Sequence, residues 1–306
     1  MLIGLHDAEY EHMPHKSFPN YALMKISAYH KSLGDTVEWW CALDNNKYDR
    51  IYSSKVLDFT EENPFLPPEK TVKGGTGYGI FTKLPSEIDE MFPDYTIYPN
   101  CDYAIGFLTR GCPNKCPWCY VPQKEGAIRP YRTWRQLVRH DTDKLVLMDN
   151  NILACDYGLG QLAELAYTDY CIDLNQGMDI RLLTDDVCKL LKRIHWIKYI
   201  RFSCDSCSQL PYFERAAEMF ERYRISKSKV FIYILVRSDL QEADFRVQEL
   251  NKLCRNFNLY AQAERNGGRG IIPNTAQLEF AQRYVYGKCY KKENWQEYCQ
   301  KRGFNF

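Results

Sequence analysis

The sequence predicts an α/β protein: a small N-terminal Rossmann-like α/β domain followed by a larger domain on a parallel sheet. Three observations carry that expectation. From residue 103 onward, apolar runs of strand length alternate six times with stretches of helical character, a pattern that makes parallel strands with right-handed crossovers. Upstream, strand, helix and strand signals follow one another at shorter lengths. The composition, 45% hydrophobic and 26% charged over 306 residues, is that of an ordinary globular chain with room for one large and one smaller domain.

Residues 1–98 supply the first domain. Leu2-Ile3-Gly4-Leu5 reads as a strand. Ala22, Ile26, Tyr29 and Leu33 fall at helical spacing, and Gly34 ends that helix. Val37 to Trp40 and Asp49 to Ser54 are the next strands. The glycine run Lys73-Gly74-Gly75-Thr76-Gly77-Tyr78-Gly79 follows Thr71-Val72 and suits a tight turn or a ligand loop. It lacks both the GK[ST] ending and the G-x-G-x-x-G spacing of nucleotide-binding loops. Pro85 to Asn100 reads as a linker, broken by Pro93 and Pro99.

The second domain is expected over 99–270. Its strands are Tyr103–Thr109, Lys144–Asp149, Tyr170–Asn175, Lys198–Ser203, Val230–Val236 and Leu259–Ala263. The intervening helices are placed at Tyr131–His140, Leu159–Tyr167, Thr184–Leu191, Tyr212–Tyr223 and Asp239–Phe257. Thr184 is a suitable N-cap, with Asp185 and Asp186 in the first turn. Six repeats are too few for a closed eight-stranded barrel. A helical extension over 271–306 begins at the N-cap Asn274, runs to Tyr286 and stops at Gly287, with a second helical stretch around Trp295 and Tyr298.

The first of these strands leads into Gly111-Cys112-Pro113-Asn114-Lys115-Cys116-Pro117-Trp118-Cys119-Tyr120. Three thiolates on so short a loop can hold three corners of a [4Fe-4S] cube and leave one iron open. A zinc site would need a fourth ligand, for which Cys204 and Cys207, another C-x2-C pair, are candidates. The spacing C-x3-C-x-aromatic-C, with Trp118 as the aromatic, resembles the signature of the radical S-adenosylmethionine (SAM) superfamily. The resemblance extends to the six repeats and implies an open (β/α)6 partial TIM barrel. It implies that Cys112, Cys116 and Cys119 hold the cluster, that Trp118 packs beside it, and that SAM binds the open iron. The expected activity is reductive cleavage of SAM to a 5′-deoxyadenosyl radical that abstracts hydrogen from a substrate.

In parallel sheets ligands gather beyond the carboxyl ends of the strands, so the residues just after each strand are the candidate SAM contacts. Asp149, Asn150 and Asn151 follow the second strand and offer acceptors for an ammonium group where the family often has G-G-E. Gln176, Asp179 and Arg181 follow the third. Gln176 or Asp179 suits ribose hydroxyls, and Arg181 suits a carboxylate, or else pairs locally with Asp179. Ser203 and Asp205 end the fourth strand and Arg237 the fifth. Glu264 and Arg265 end the sixth, and the loop from Asn266 to Gly270 is placed near adenine. Cys204 is either a buried thiol or a hydrogen-atom donor.

Residues 1–98 resemble the cobalamin-binding-like domain that precedes the core in one branch of the superfamily. The cobalamin motif D-x-H-x-x-G is absent, and His6, His12 and His15 do not match it. Val121-Pro122, Gly126 and Arg129 are similar to the tRNA methylthiotransferase branch. That branch carries an N-terminal cysteine trio, whereas residues 1–98 hold only Cys41. The net charge of +1 argues against a strongly electrostatic nucleic-acid binder and favours a small molecule or peptide as substrate. An electron donor such as flavodoxin or ferredoxin is the implied protein partner. Met1 to Asp7 has neither a basic nor a long apolar segment, and no apolar run of about 18 residues occurs. The expectation is a cytoplasmic chain without a membrane partner, its 13 cysteines reduced. The alternative is a non-catalytic zinc or iron–sulfur binding module.

Overall fold

Four parallel strands organise the first part of the chain in the computed structural model, which describes residues 1–12, 18–265 and 270–304. His15 and the stretch from Asn266 to Arg269 lie outside the described residues. The chain divides into two compact units, Met1–Asp102 and a second from Tyr103 onward. Both are mixed α/β.

In the first unit β1 (Leu2–Asp7) runs into a short helix α1 (Ala8–His12). Helix α2 (Tyr21–Ser32) then leads to β2 (Thr36–Trp39), followed by β3 (Arg50–Ser54) and β4 (Thr71–Gly74). The order is β2-β1-β3-β4, with every pairing parallel. The Asn20 side chain caps α2 by accepting from Leu23 N. The glycine run is a turn packed backbone to backbone: a Cβ on Gly75 or Gly77 would lie 2.4 or 2.5 Å from the carbonyl oxygens of Lys55 and Leu57. A short helix α3 (Ser86–Asp89) falls within the segment expected as linker.

The second unit holds β5 (Ala104–Gly106), β6 (Thr109–Arg110), helix α4 (Val121–Lys124) and β7 (Arg129–Pro130), then β8 (Lys144–Leu147). Next come α5 (Asp156–Leu165), β9 (Cys171–Leu174), β10 (Met178–Asp179), α6 (Asp185–Arg193), β11 (His195–Trp196) and β12 (Ile200–Ser203). Helix α7 (Leu210–Arg222), β13 (Val230–Val236), α8 (Leu240–Leu253) and β14 (Asn258–Ala263) complete the series. Two parallel four-stranded sheets result, β11-β9-β8-β5 and β10-β12-β13-β14, with β6 and β7 as a separate antiparallel ribbon. The two sheets share one register. Cys171 pairs with His195 and Ile172 with Trp196 in one, and Met178 with Phe202 and Asp179 with Ser203 in the other, at the same offset. Between these pairs the ladder lapses, and Asp173 and Arg201 bridge the gap with side chains at 2.6 and 2.7 Å.

Strands at all six expected positions exist, with most boundaries within two residues. Strand β13 shows why: alternate residues Val230, Ile232, Ile234 and Val236 are fully buried, in one core with Phe202, Phe213, Phe220, Val247 and Leu250. The first strand is shorter than its apolar run suggests, because the chain leaves β5 at Gly106 and re-pairs as β6 with β7. The helix expected over Tyr131–His140 is not formed beyond one turn, Trp134–Gln136. Tyr131 N is bonded to Leu108 O, 2.9 Å, and a Thr133/Gln136 capping box closes the turn. After the N-cap Asn274 come α9 (Thr275–Glu279), a wider π-turn (Phe280–Val285) and α10 (Trp295–Arg302). Among the described residues no helix is long and apolar enough to cross a membrane.

Candidate metal and cofactor site

The loop from Cys112 to Cys119 leaves the β5–β6 edge by a left-handed turn. Gly111 has φ +84°, and a Cβ there would fall 2.2 Å from Ala127 O. Gly111→Ala therefore combines positive-φ strain with a backbone clash. We expect it to cost about 2–4 kcal/mol, read as a lower urea midpoint.

Below the loop, Asp149 is buried. Its carboxylate accepts from Leu108 N, Thr109 N and Thr109 Oγ1. So Asp149 latches the entry to the cysteine loop, with both oxygens engaged. Burial pushes its carboxyl up to about 6 from an ordinary 3.8, against the pull of those donors. The native state then keeps a proton that the unfolded chain releases between these values. Stability from this site is full below the unfolded pKa and falls as pH rises through the folded one, by about 3 kcal/mol in all. The unfolding temperature should drop between about pH 4 and pH 6, and the Asp149 carboxyl-carbon resonance should titrate near 6.

Three of the strand ends that follow touch the loop. Asn151, after β8, donates from Nδ2 to Cys112 Sγ at 3.7 Å. Asp179, at the end of β10, accepts from Asn114 Nδ2 at 3.0 Å and is gripped by Arg181 at 2.8 and 2.6 Å. Burial alone would raise the Asp179 pKa, but Arg181 and Asn114 hold it below the ordinary value. The local pair weighed for Asp179 and Arg181 is thus formed, with Arg181 still 41% exposed on its outer side. Arg237, after β13, lies over the Trp118 ring, 4.9 Å from its centroid. Asp205, after β12, accepts from Leu235 N at 3.2 Å, and burial raises its pKa. Gln176 is exposed near Met148, with Nε2 at 3.9 Å from Sδ. Ser203, half-buried, closes β12 and hydrogen-bonds Asp205.

No disulfide joins the cysteines. Cys112 Sγ accepts from Asn114 N and Cys119 Sγ from Val121 N, both at 3.4 Å. The Cys116 thiol is raised first by burial and then by its neighbours Cys119 and Cys112. Among the described residues no three Cys, His, Asp or Glu side chains already surround one point as a metal site, these cysteines included. The donor set nevertheless suits a thiolate-held cluster with a polar organic ligand. Three thiols share one loop, and N–H groups point at two of the sulfurs. Buried Asn150 Nδ2, Asn151 Oδ1 and Arg237 Nε have no hydrogen-bond partner among the described residues. Unpaired buried polar atoms are costly, and two of these residues, Asn151 and Arg237, also touch the loop, where they suit a ligand with polar groups.

Cys204 and Cys207 stand apart from this arrangement. Cys204 is fully buried, which pushes its thiol up to about 12. The Cys207 thiol donates to Glu242. Two groups went unnoticed in the sequence. Asn114 is a variable position inside the cysteine motif, where only its proximity to the ligands was a signal. Arg246 had no signal, since an arginine on an amphipathic helix ordinarily faces water. Comparison of the chain with known protein families and with curated proteins found no match.

Proposed function

We propose that the chain is a radical SAM enzyme on an open (β/α)6 partial TIM barrel. One observation carries this: the C-x3-C-x-aromatic-C loop is held by side chains from the ends of the following strands, through Asn151 to Cys112, Asp179 to Asn114 and Arg237 to Trp118. The shared register of the two sheets supports the barrel, since it orders the six main strands as they occur in the sequence.

In this proposal Cys112, Cys116 and Cys119 hold a [4Fe-4S] cluster, and Asn150, Asn151, Gln176, Ser203, Asp205 and Arg237 surround SAM. The bound cluster supplies one electron that breaks the SAM sulfonium C–S bond, giving methionine and a 5′-deoxyadenosyl radical that takes hydrogen from a substrate. Asn114 N, Asn151 Nδ2 and Val121 N donate to the ligand sulfurs, and hydrogen bonds to sulfur tune a cluster's potential. Asp179 holds Asn114 and Arg181 in place. The Arg237 guanidinium rests over the Trp118 ring and ties the end of β13 to the loop.

Anaerobic reconstitution tests the proposal. A brown protein with a [4Fe-4S] signal that SAM perturbs, and that forms 5′-deoxyadenosine with dithionite, is the expected result. A colourless protein with one tightly held zinc would instead establish the non-catalytic module and end the radical SAM proposal.

A further inference from the structure

The first unit has a cavity of its own, about 260 Å³, at the carboxyl ends of β1 and β2. Strand β1 sits inside the sheet, with β2 on one side and β3, next in sequence, on the other. The cavity lies on the β2 side of β1, beyond the carboxyl ends of the strands, where open parallel sheets take up ligands.

The walls are aromatic and held in place. Tyr10 stacks on Trp39, centroids 5.6 Å apart and planes at 12°. Tyr98 meets both rings edge-on. Trp40 donates from Nε1 to Asn45 Oδ1, 2.7 Å, and meets His6 edge-on at 5.4 Å. The polar groups of the lining are His6, Asp7, Glu11 and Asn63. Asp7 is consumed internally, accepting from Glu9 N, Tyr10 N and the Tyr98 hydroxyl. Glu11 is different. It is 40% exposed and aligned by His6 Nε2 at 2.8 Å and by Asn63 Nδ2 at 2.8 Å. His6 is itself fixed, since its Nδ1 shares a 2.7 Å hydrogen bond with Ser53 Oγ, which is bonded in turn to Tyr78. Among the described residues no lysine or arginine lines the cavity.

We propose that this cavity binds a small organic cation, an alkylated or protonated amine with a compact apolar body. Aromatic faces attract a cation through their quadrupoles and also accept its methyl groups. Glu11 supplies the opposing charge at the rim. Among the described residues the lining offers no lysine or arginine for a phosphate or carboxylate, and the volume, below the roughly 300 Å³ of drug-sized pockets, favours a small ligand. The proposal concerns the first unit alone and is independent of the cluster, so either can fail without the other.

The test titrates the full chain with choline and with tetramethylammonium, at constant ionic strength, by calorimetry and tryptophan fluorescence. A third titrant is choline's neutral isostere, in which a tert-butyl group replaces the trimethylammonium. Saturable binding of a cation, with the isostere weaker by about tenfold or more, is the expected result. Glu11→Gln keeps the shape and should weaken cation binding by about tenfold while leaving the isostere unchanged. Equal binding of choline and isostere, or saturation by neither cation, overturns the proposal. The comparison of titrants on the unmodified chain decides the matter even if Glu11→Gln does not fold.

Discussion

Cys116→Ala is expected to remove the cluster while leaving the chain folded. Anaerobic reconstitution should load about four irons per unmodified chain and fewer than about one in the variant. 5′-Deoxyadenosine formation should fall below detection with it. The stability cost should stay under about 1 kcal/mol, because Cys116 is half-buried on a loop. Loss of iron with an unchanged urea midpoint assigns the thiol to the metal. Loss of both would make it a packing residue. Cys204→Ala is the matched control: a fully buried thiol whose loss should cost about 1–2 kcal/mol and leave iron content as it was. If Cys116→Ala retains a full complement of iron, the three-thiolate assignment is wrong.

Arg246→Met should have the largest effect on stability, about 3–5 kcal/mol. Arg246 is fully buried. One arm donates to Cys204 O, another to Leu235 O at 2.8 Å, and the guanidinium also grips both oxygens of Glu242 at 2.9 and 2.8 Å. Glu242 in turn receives Cys207 N at 3.2 Å. Methionine fills the volume but leaves a carboxylate without its cation and two buried carbonyls without donors. The urea midpoint measures the loss. Pairing the change with Glu242→Gln removes the stranded charge and should recover part of it. The same arginine braces the loops that present Asp205 and Arg237, so SAM affinity should drop in Arg246→Met as well.

The strands were legible because their signal is local. The runs at Val230–Val236 and Lys144–Leu147 are apolar on the face that enters the core, and the rule that ligands collect at the carboxyl ends pointed to Asp149, Asp179 and Arg237. What each residue does there was not legible, because the partners are distant in sequence. Asp149 stands as one of three acceptors after a strand, yet its carboxylate is taken by backbone N–H groups some forty positions upstream. The Tyr131–His140 segment has helical spacing, but the Leu108 carbonyl captures the amides that would begin the helix. Arg246 looks like a solvent-facing helix residue, and only packing against two strand ends makes it internal.

The lapse in pairing between Asp173–Gly177 and Ile197–Arg201 has a mechanical consequence. A continuous ladder resists bending across its strands, whereas a missing stretch, beside a glycine at φ +83°, acts as a crease. The crease lies between the third and fourth of the six main strands, at the middle of the series. The Asp173–Arg201 bridge spans that fold line as a stay, tying β9 of one sheet to β12 of the other where backbone pairing is missing.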